Sequence, residues 1–495
     1  MTVDVVHSGV GGLDEILGGG FPAGRLYLVQ GTPGAGKTTL GLQFLLEGAA
    51  RGERGLYITL SETREELEAV ASSHGWSLDA ITLYELAPRG DDLSLESQQT
   101  VFPTSEIELN ETMQTLLARV EESKPTRVVF DSLSEIRLLA QTSLRYRRQI
   151  LALKHYFAGS AATVLLLDDL TSSPTDQGLQ SLAHGVITLE QTSSTYGVDR
   201  RRIRVGKLRG VRFRTGYHDF TITTGGLEIY PRLIAAEHHR EFPRAALSTG
   251  LPPLDSLLGG GIPRGNSVLL TGPPGTGKSA IITQIATAAA RRGERSVLFT
   301  FEENRGTTLA RAHALGNDLE AQIDAGLVVV RQVNPADLSP GEFVDEVRRA
   351  VEKHDARIIA IDSLNGYLNA MPRENYLLSQ LHELTAYLGQ AGVVTLMTVA
   401  QQGLMGSSMV TPVDASYLAD VILLLRYFEA QGCIRKAISV LKHRSAPHEN
   451  MIRELVLSSD GIGVGEPLEH FRGVLTGVPT YSGDSAPLQS AGRVP

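Results

Sequence analysis

Short apolar runs alternate along this chain with segments whose apolar residues return every three or four positions. Leu26-Tyr27-Leu28-Val29 is such a run, and Leu40, Phe44 and Leu45 give helical spacing behind it. Ser267-Val268-Leu269-Leu270 is another, followed by Ile281, Ile285 and Ala289. An unbroken apolar run predicts a strand covered on both faces, and three-to-four spacing predicts a helix with one buried face. Runs at Val128 to Phe130, Val164 to Leu167, Ile358 to Ile361 and Val393 to Met397 continue the alternation. The expected fold class is therefore α/β, with a mainly parallel sheet, right-handed crossovers and flanking helices. Around Thr221 and Ile222 the pattern becomes β-rich with period two, which predicts a hairpin-like finish to the first half.

The pattern is written twice. Ser8-Gly9-Val10-Gly11-Gly12-Leu13-Asp14 corresponds to Thr249-Gly250-Leu251-Pro252-Pro253-Leu254-Asp255 at an offset of 241 residues. The same offset carries Gly18 to Pro22 onto Gly259 to Pro263, and Gly52-Glu53 onto Gly293-Glu294 at the expected helix ends. By the strands that end in Asp131-Ser132 and Asp362-Ser363 the offset is 231, so the first half holds ten extra residues upstream of its Asp. A repeat this long predicts two tandem domains, 1–240 and 241–477, with a linker at His238 to Pro243. The Gly-, Ser- and Pro-rich stretch 478–495 reads as a disordered tail.

At 495 residues the length suits that division, and the composition is ordinary for a globular protein. A net charge of −9 argues against non-specific nucleic-acid binding as the main task. A single cysteine, Cys433, excludes an intrachain disulfide. Met1-Thr2-Val3-Asp4 has no basic-then-apolar signal pattern, and apolar stretches such as Gly392 to Ala400 are too short to span a bilayer. The expectation is a cytoplasmic protein without a membrane segment.

Candidate chemistry sits where strand gives way to helix. Gly31-Thr32-Pro33-Gly34-Ala35-Gly36-Lys37-Thr38 and Gly272-Pro273-Pro274-Gly275-Thr276-Gly277-Lys278-Ser279 both fit the P-loop signature. Glycines let backbone N–H groups close around phosphates, the Lys reaches the β/γ oxygens, and the hydroxyl holds Mg²⁺. The expected nucleotide contacts are Thr32, Gly34, Ala35, Gly36, Lys37, Thr38 and Thr39, then Pro274, Gly275, Thr276, Gly277, Lys278, Ser279 and Ala280. ATP and Mg²⁺ are the expected cofactors. Asp131 and Asp362 close apolar strands where the metal and its waters would lie, so Thr38, Asp131, Ser279, Asp362 and Glu302 are the candidate metal set. Hydrolysis also needs a group to orient or deprotonate water. Glu302-Glu303 lie 24 and 25 residues after Lys278, and the same steps after Lys37 reach Ser61-Glu62. Serine in the first carboxylate slot predicts slow hydrolysis in the first half, unless Glu62 is itself the working residue there.

Each half ends with cations at i, i+2: Lys207-Leu208-Arg209 and Lys442-His443-Arg444. On a strand this spacing points both cationic heads to one side. The pairs are either a solvated basic surface or fingers reaching a neighbour's nucleotide. The basic stretch Arg200 to Arg214, interleaved with Ile203, Val205, Leu208 and Val211, reads as one face of an edge strand meeting an acidic neighbour, with nucleic acid as the alternative.

These features together resemble the KaiC family of the RecA/DnaB-like ATPases, over roughly residues 5 to 480. Tandem P-loops, Thr300-Phe301-Glu302-Glu303, the Asp-Ser strand ends, Lys207-Leu208-Arg209-Gly210, Phe220-Thr221-Ile222-Thr223 and Phe471-Arg472-Gly473-Val474-Leu475-Thr476-Gly477-Val478-Pro479-Thr480 carry the resemblance. It implies two RecA-like domains and a double-ring homohexamer with ATP between subunits, reached by Lys207/Arg209 and Lys442/Arg444 of the neighbour. It also implies slow ATP hydrolysis, with Glu302 as general base, Glu303 as its companion and signalling or clock proteins as partners. Autophosphorylation of an adjacent Ser-Thr pair in the C-terminal domain is implied too. That pair falls on Ser416-Tyr417, both phosphoacceptor candidates, where the serine is kept and tyrosine replaces the threonine. A nucleic-acid motor is the competing class, and the acidic charge and sparse aromatics count against it.

Overall fold

The computed structural model describes residues 4–86, 104–170, 177–193, 197–334, 336–369, 376–401, 416–475 and 479–481. The chain divides into two compact units, Met1–Arg232 and Leu233–Pro495.

In the first unit the order is β1 (Leu26–Gly31), α1 (Lys37–Ala50), β2 (Gly55–Thr59), α2 (Arg64–Ser73), β3 (Ile81–Glu85) and α3 (Thr104–Ser123). Then come β4 (Arg127–Asp131), α4 (Leu133–Ala140), α5 (Ser143–Ala158), β5 (Thr163–Asp169) and α6 (Gln177–Leu182). Strands β6 (Gly185–Thr192), β7 (Arg200–Leu208), β8 (Tyr217–Thr223) and β9 (Gly226–Tyr230) complete it. They form one nine-stranded sheet in the order β3-β2-β4-β5-β1-β6-β7-β8-β9. The six strands from β3 to β6 run parallel, and β7 to β9 continue antiparallel.

Burial explains the apolar runs. In β1, Tyr27 and Val29 pack with α1 in one cluster, while Leu26 and Leu28 pack with α3, α4 and α5 in the other. Both faces are covered, so the run shows no polar alternation. Each fully buried Leu or Val contributes roughly 1.5–3 kcal/mol.

The second unit repeats the arrangement with β10 (Ser267–Gly272), α7 (Lys278–Ala290), β11 (Arg295–Thr300), α8 (Arg305–Ala314), α9 (Leu319–Asp324) and β12 (Val328–Gln332). Next come α10 (Pro340–Glu352), β13 (Ala356–Asp362), α11 (Leu364–Asn369), α12 (Leu377–Gln390) and β14 (Val394–Ala400). Last are β15 (Val421–Ala430), β16 (Cys433–His443), β17 (Arg453–Ser458) and β18 (Gly461–Pro467). The sheet order β12-β11-β13-β14-β10-β15-β16-β17-β18 is the first unit's order strand for strand. The first half's extra length falls between β3 and α3, and the second half has α9 in addition.

Two expectations need amendment. The basic stretch from Arg200 is no edge strand: β7 lies inside the sheet between β6 and β8. Its acidic neighbours are real, since Arg202 stands opposite Glu190 and Asp219, 3.5 Å from the latter. Within the expected tail, Thr480–Tyr481 pair with Phe471–Arg472 as a short antiparallel ladder; 482–495 lie outside the described residues.

Candidate nucleotide sites

Both P-loops connect a buried strand to a helix that starts without a side-chain cap. Gly36 and Gly277 are the N-cap residues, at φ 99° and 107°, a left-handed conformation that favours glycine. A Cβ on Gly36 would stand 2.7 Å from Ile222 Cδ1. The first N–H groups of α1 and α7 have no intrahelical partner, which makes each helix start an anion cradle. Elsewhere the same needs are met locally: Thr63 with Glu66 and Ser339 with Glu342 form capping boxes.

Lys37 and Lys278 are both buried over their own loops. Lys37 Nζ donates to the carbonyls of Gly31 and Thr32 at 3.1 Å each, and lies 2.8 Å from Asp169 Oδ1. Lys278 Nζ donates to Gly272 and Pro273 at 2.8 Å each. Burial pulls the Lys278 ammonium down to about 8, against the opposing pull of Asp362 and Glu302.

The metal candidates are placed beside the lysines. Thr38 Oγ1 donates to Asp131 Oδ2 at 2.8 Å, and the Tyr57 hydroxyl donates to the same oxygen at 2.5 Å. Burial raises the Asp131 carboxyl, while those two bonds and Lys37 oppose the rise. In the second unit the partner of Asp362 is Thr398, whose Oγ1 donates to Oδ1 at 2.5 Å. The first site thus offers its P-loop hydroxyl and one carboxylate side by side; among the described residues no three His, Cys, Asp or Glu side chains group to hold a metal alone. Such a donor set fits Mg²⁺, which takes one or two carboxylates plus phosphate and water oxygens.

The carboxylate pairs differ between the units. Glu302 Oε1 accepts from the Ser363 hydroxyl at 2.9 Å, beside Asp362. Glu303 is held elsewhere: Arg311 is paired with it and Thr308 Oγ1 donates to it at 3.1 Å. In the first unit Val70 stands where the repeat offset would place Arg311. Glu62, at the offset of Glu303, therefore has no such cation. One of its carboxylate oxygens is buried without a hydrogen-bond partner, and its carboxyl is raised to about 7. Burial is the largest cause, then Asp131 and Glu66, with Lys37 opposing. Ser61 is exposed.

The cation pairs lie away from their own P-loops. Lys207 pairs in register with Val186, which pairs with Leu28, three residues before Gly31. At about 3.3 Å per residue this places Lys207 roughly 10 Å back along the sheet. Its Nζ donates to the carbonyls of Gln180 and Ala183 at 2.7 Å each, and Arg209 donates to Ser181 at 3.0 Å. The second unit repeats this: Lys442 pairs through Ile422 with Leu269, three residues before Gly272. Lys442 Nζ donates to the Ser416 carbonyl at 2.9 Å, and Arg444 donates to that of Tyr417 at 3.3 Å. Ser416 and Tyr417 are exposed at this end of the sheet. Leu208 and His443 occupy the middle positions; burial lowers the His443 imidazole.

Sequence reasoning missed Asp169, Tyr57 and Thr398, because strand register alone brings them to the P-loops. It also missed a pocket beside Ala280 lined by Thr283, Gln284, Leu315, Asn317 and Ile462.

Two P-loop centres on two copies of one parallel-sheet domain define a tandem nucleotide-binding protein of the P-loop class. A family profile described as "ATPase: KaiC" matches residues 6–234 and 247–469, and the chain belongs to the KaiC family of ATPases. It is 29% identical to the circadian clock oscillator protein KaiC of Picosynechococcus, over 97% of this chain and 93% of the relative. Similarity to the circadian clock protein KaiC3 of Synechocystis is 27% identity over 98% and 96%. The KaiC of Synechococcus elongatus is 28% identical over 95% and 90%. Both halves are thus ATPase domains that bind ATP. Among the described residues no helix is long and apolar enough to cross a membrane.

Proposed function

We propose that this ATPase assembles as a double-ring homohexamer, hydrolyses ATP slowly in both rings and phosphorylates itself at Ser416. The proposed output is signalling or timing through partner proteins, as the clock proteins among its relatives suggest. One observation carries the reading: Lys442 and Arg444 grip the backbone of Ser416 and Tyr417 at the strand ends of the sheet remote from Lys278. Cations so placed are of no use to their own nucleotide. An adjoining copy that inserts its triphosphate at this end would meet the cations and the Ser416 hydroxyl together.

Thr32, Gly34 to Thr39 and Pro274 to Ala280 would wrap the phosphates in their respective units. Thr38 with Asp131, and Ser279 with Asp362, would hold Mg²⁺, with Glu302 bordering its water shell; the ion screens charge on the transferring phosphoryl group. Lys37 and Lys278 bind the β/γ oxygens. Glu302 accepts the proton of the attacking group, which is water in hydrolysis and the Ser416 hydroxyl of the neighbour in autophosphorylation. The oxygen–phosphorus bond forms as the bond to the ADP leaving oxygen breaks. Ser363 orients Glu302, and Glu303, tied to Arg311, supports that loop. In the first unit Glu62 takes the proton instead, since Ser61 has no basic group.

Native mass spectrometry with ATP and Mg²⁺, followed by phosphosite mapping, tests this. A sixfold assembly with phosphoserine 416, absent in Glu302→Gln, is expected. A monomer under saturating ATP, or an unmodified Ser416, would overturn the corresponding part.

A further inference from the structure

The two P-loop lysines are held differently, and the difference comes from one strand end. Gly31 pairs in register with Asp169 at the end of β5, and Gly272 pairs with Ala400 at the end of β14. The first unit therefore sets a carboxylate beside its P-loop where the second unit has a methyl group. Asp169 Oδ1 sits 2.8 Å from Lys37 Nζ, and Lys37 has a side-chain exposure of only 8%. Lys278, equally buried, donates among the described residues to backbone carbonyls and forms no ion pair there. Asp131 acts on Lys37 through charge, while its Oδ2 accepts from Thr38 and Tyr57.

Asp169 also has a second hold. The Ser134 hydroxyl lies 3.2 Å from its Oδ2 and 3.4 Å from Oδ1 of the adjacent Asp168, which is paired with Arg137 on the same helix, α4. When Asp169 releases Lys37 it can stay on Ser134, so the displacement has a defined end state.

We infer that Asp169 is a built-in competitor for the nucleotide's β/γ-phosphates, which weakens and tunes triphosphate binding at the first site and has no counterpart at the second. The inference rests on the ATP-binding reading of Lys37. An incoming triphosphate takes the Lys37 ammonium from Asp169 and places like charge near the carboxylate it displaces. The pair must break before the phosphates can bind, and with the lysine buried and the carboxylate partly exposed a roughly three- to tenfold effect on affinity is expected, about 0.7–1.4 kcal/mol, around the top of the range for exposed pairs. AMP, which lacks the β- and γ-phosphates, does not compete with Asp169 and is indifferent to it.

The test measures nucleotide binding by equilibrium dialysis on the full chain, with Lys278→Ala silencing the second site. Asp169→Asn should tighten ATP about three- to tenfold and leave AMP unchanged, with and without Mg²⁺. The reciprocal graft, Ala400→Asp in a Lys37→Ala background, should weaken ATP at the second site by a similar factor. Unchanged or weaker ATP binding in Asp169→Asn, an equal change for AMP, or an indifferent Ala400→Asp would overturn the inference. The graft stands as a separate arm if Asp169→Asn does not fold. If the Lys278→Ala protein binds no ATP with Asp169 intact or replaced, the reading of the first site falls, and the inference with it.

Discussion

The ammonium of Lys442 lies 2.9 Å from the carbonyl oxygen of Ser416, and Lys207 makes the matching contact with Gln180 at 2.7 Å. Each cation is anchored to the segment that leads into the strand before its own, at the end of the sheet away from the P-loop. If both pairs act across a subunit boundary, Lys278→Ala and Lys442→Ala should each abolish second-ring turnover alone. Random mixing of the two inactive proteins should restore activity at about a quarter of the interfaces, since each restored interface takes its cleft and its cation from different copies. Mixed oligomers that stay inactive at all ratios would show that the cations serve no neighbour.

Glu62 yields a second expectation. Its carboxyl is raised to about 7, chiefly by burial, and a proton acceptor must be ionised to work. First-ring hydrolysis, read in Lys278→Ala, should therefore climb as pH rises through about 7 and level off above it. Glu62→Gln should lower that rate by roughly 10²- to 10⁴-fold and flatten the profile. Steady-state phosphate release across this range provides the check. An unchanged rate in Glu62→Gln would mean that water is activated without it.

Lys278 gives a pH effect of the opposite sign. Burial lowers its ammonium to about 8, so the charged form that attracts phosphate is full below this value and is lost above it. ATP affinity at the second site should weaken once pH exceeds about 8. Titration of a Lys37→Ala protein with a fluorescent ATP analogue would reveal this, and a flat response would contradict it.

Arg127 gives a stability prediction. It is fully buried on β4, donating to Glu53 at 2.8 and 2.9 Å and to the carbonyls of His7 and Phe44 at 2.8 and 2.7 Å. Arg127→Ala would leave those acceptors without their cation. Glu53 is 30% exposed and can turn to water, but orphaning a buried carbonyl costs about 1–3 kcal/mol, so a fall in the melting temperature of the first unit is expected by calorimetry.

Much of this was readable in the residues. The P-loops and the Asp-ended strands were legible because their chemistry is local: glycines at fixed steps, an apolar run, one carboxylate. The repeat supplied the domain plan, since an offset preserved over long stretches needs no three-dimensional information. What depends on register was hidden. Asp169 lies 132 positions from Lys37 and meets it only because β5 pairs with β1. Nor could the offset alone show that Glu62 and Glu303 diverge, as that turns on Val70 replacing an arginine one helix away. The basic stretch on β7 misled for a similar reason: alternating charge cannot tell an outer strand from one enclosed by polar neighbours.

The residues just after Arg232 do not hang loose. Leu233 and Ala235 enter the apolar cluster of the second unit, and a Cβ on Gly392 would stand 2.4 Å from the ring of Phe242. Anyone separating the halves for independent expression should thus cut before Leu233. A cut near 240 would strip a piece of core from one fragment and leave the other with a greasy, sticky end.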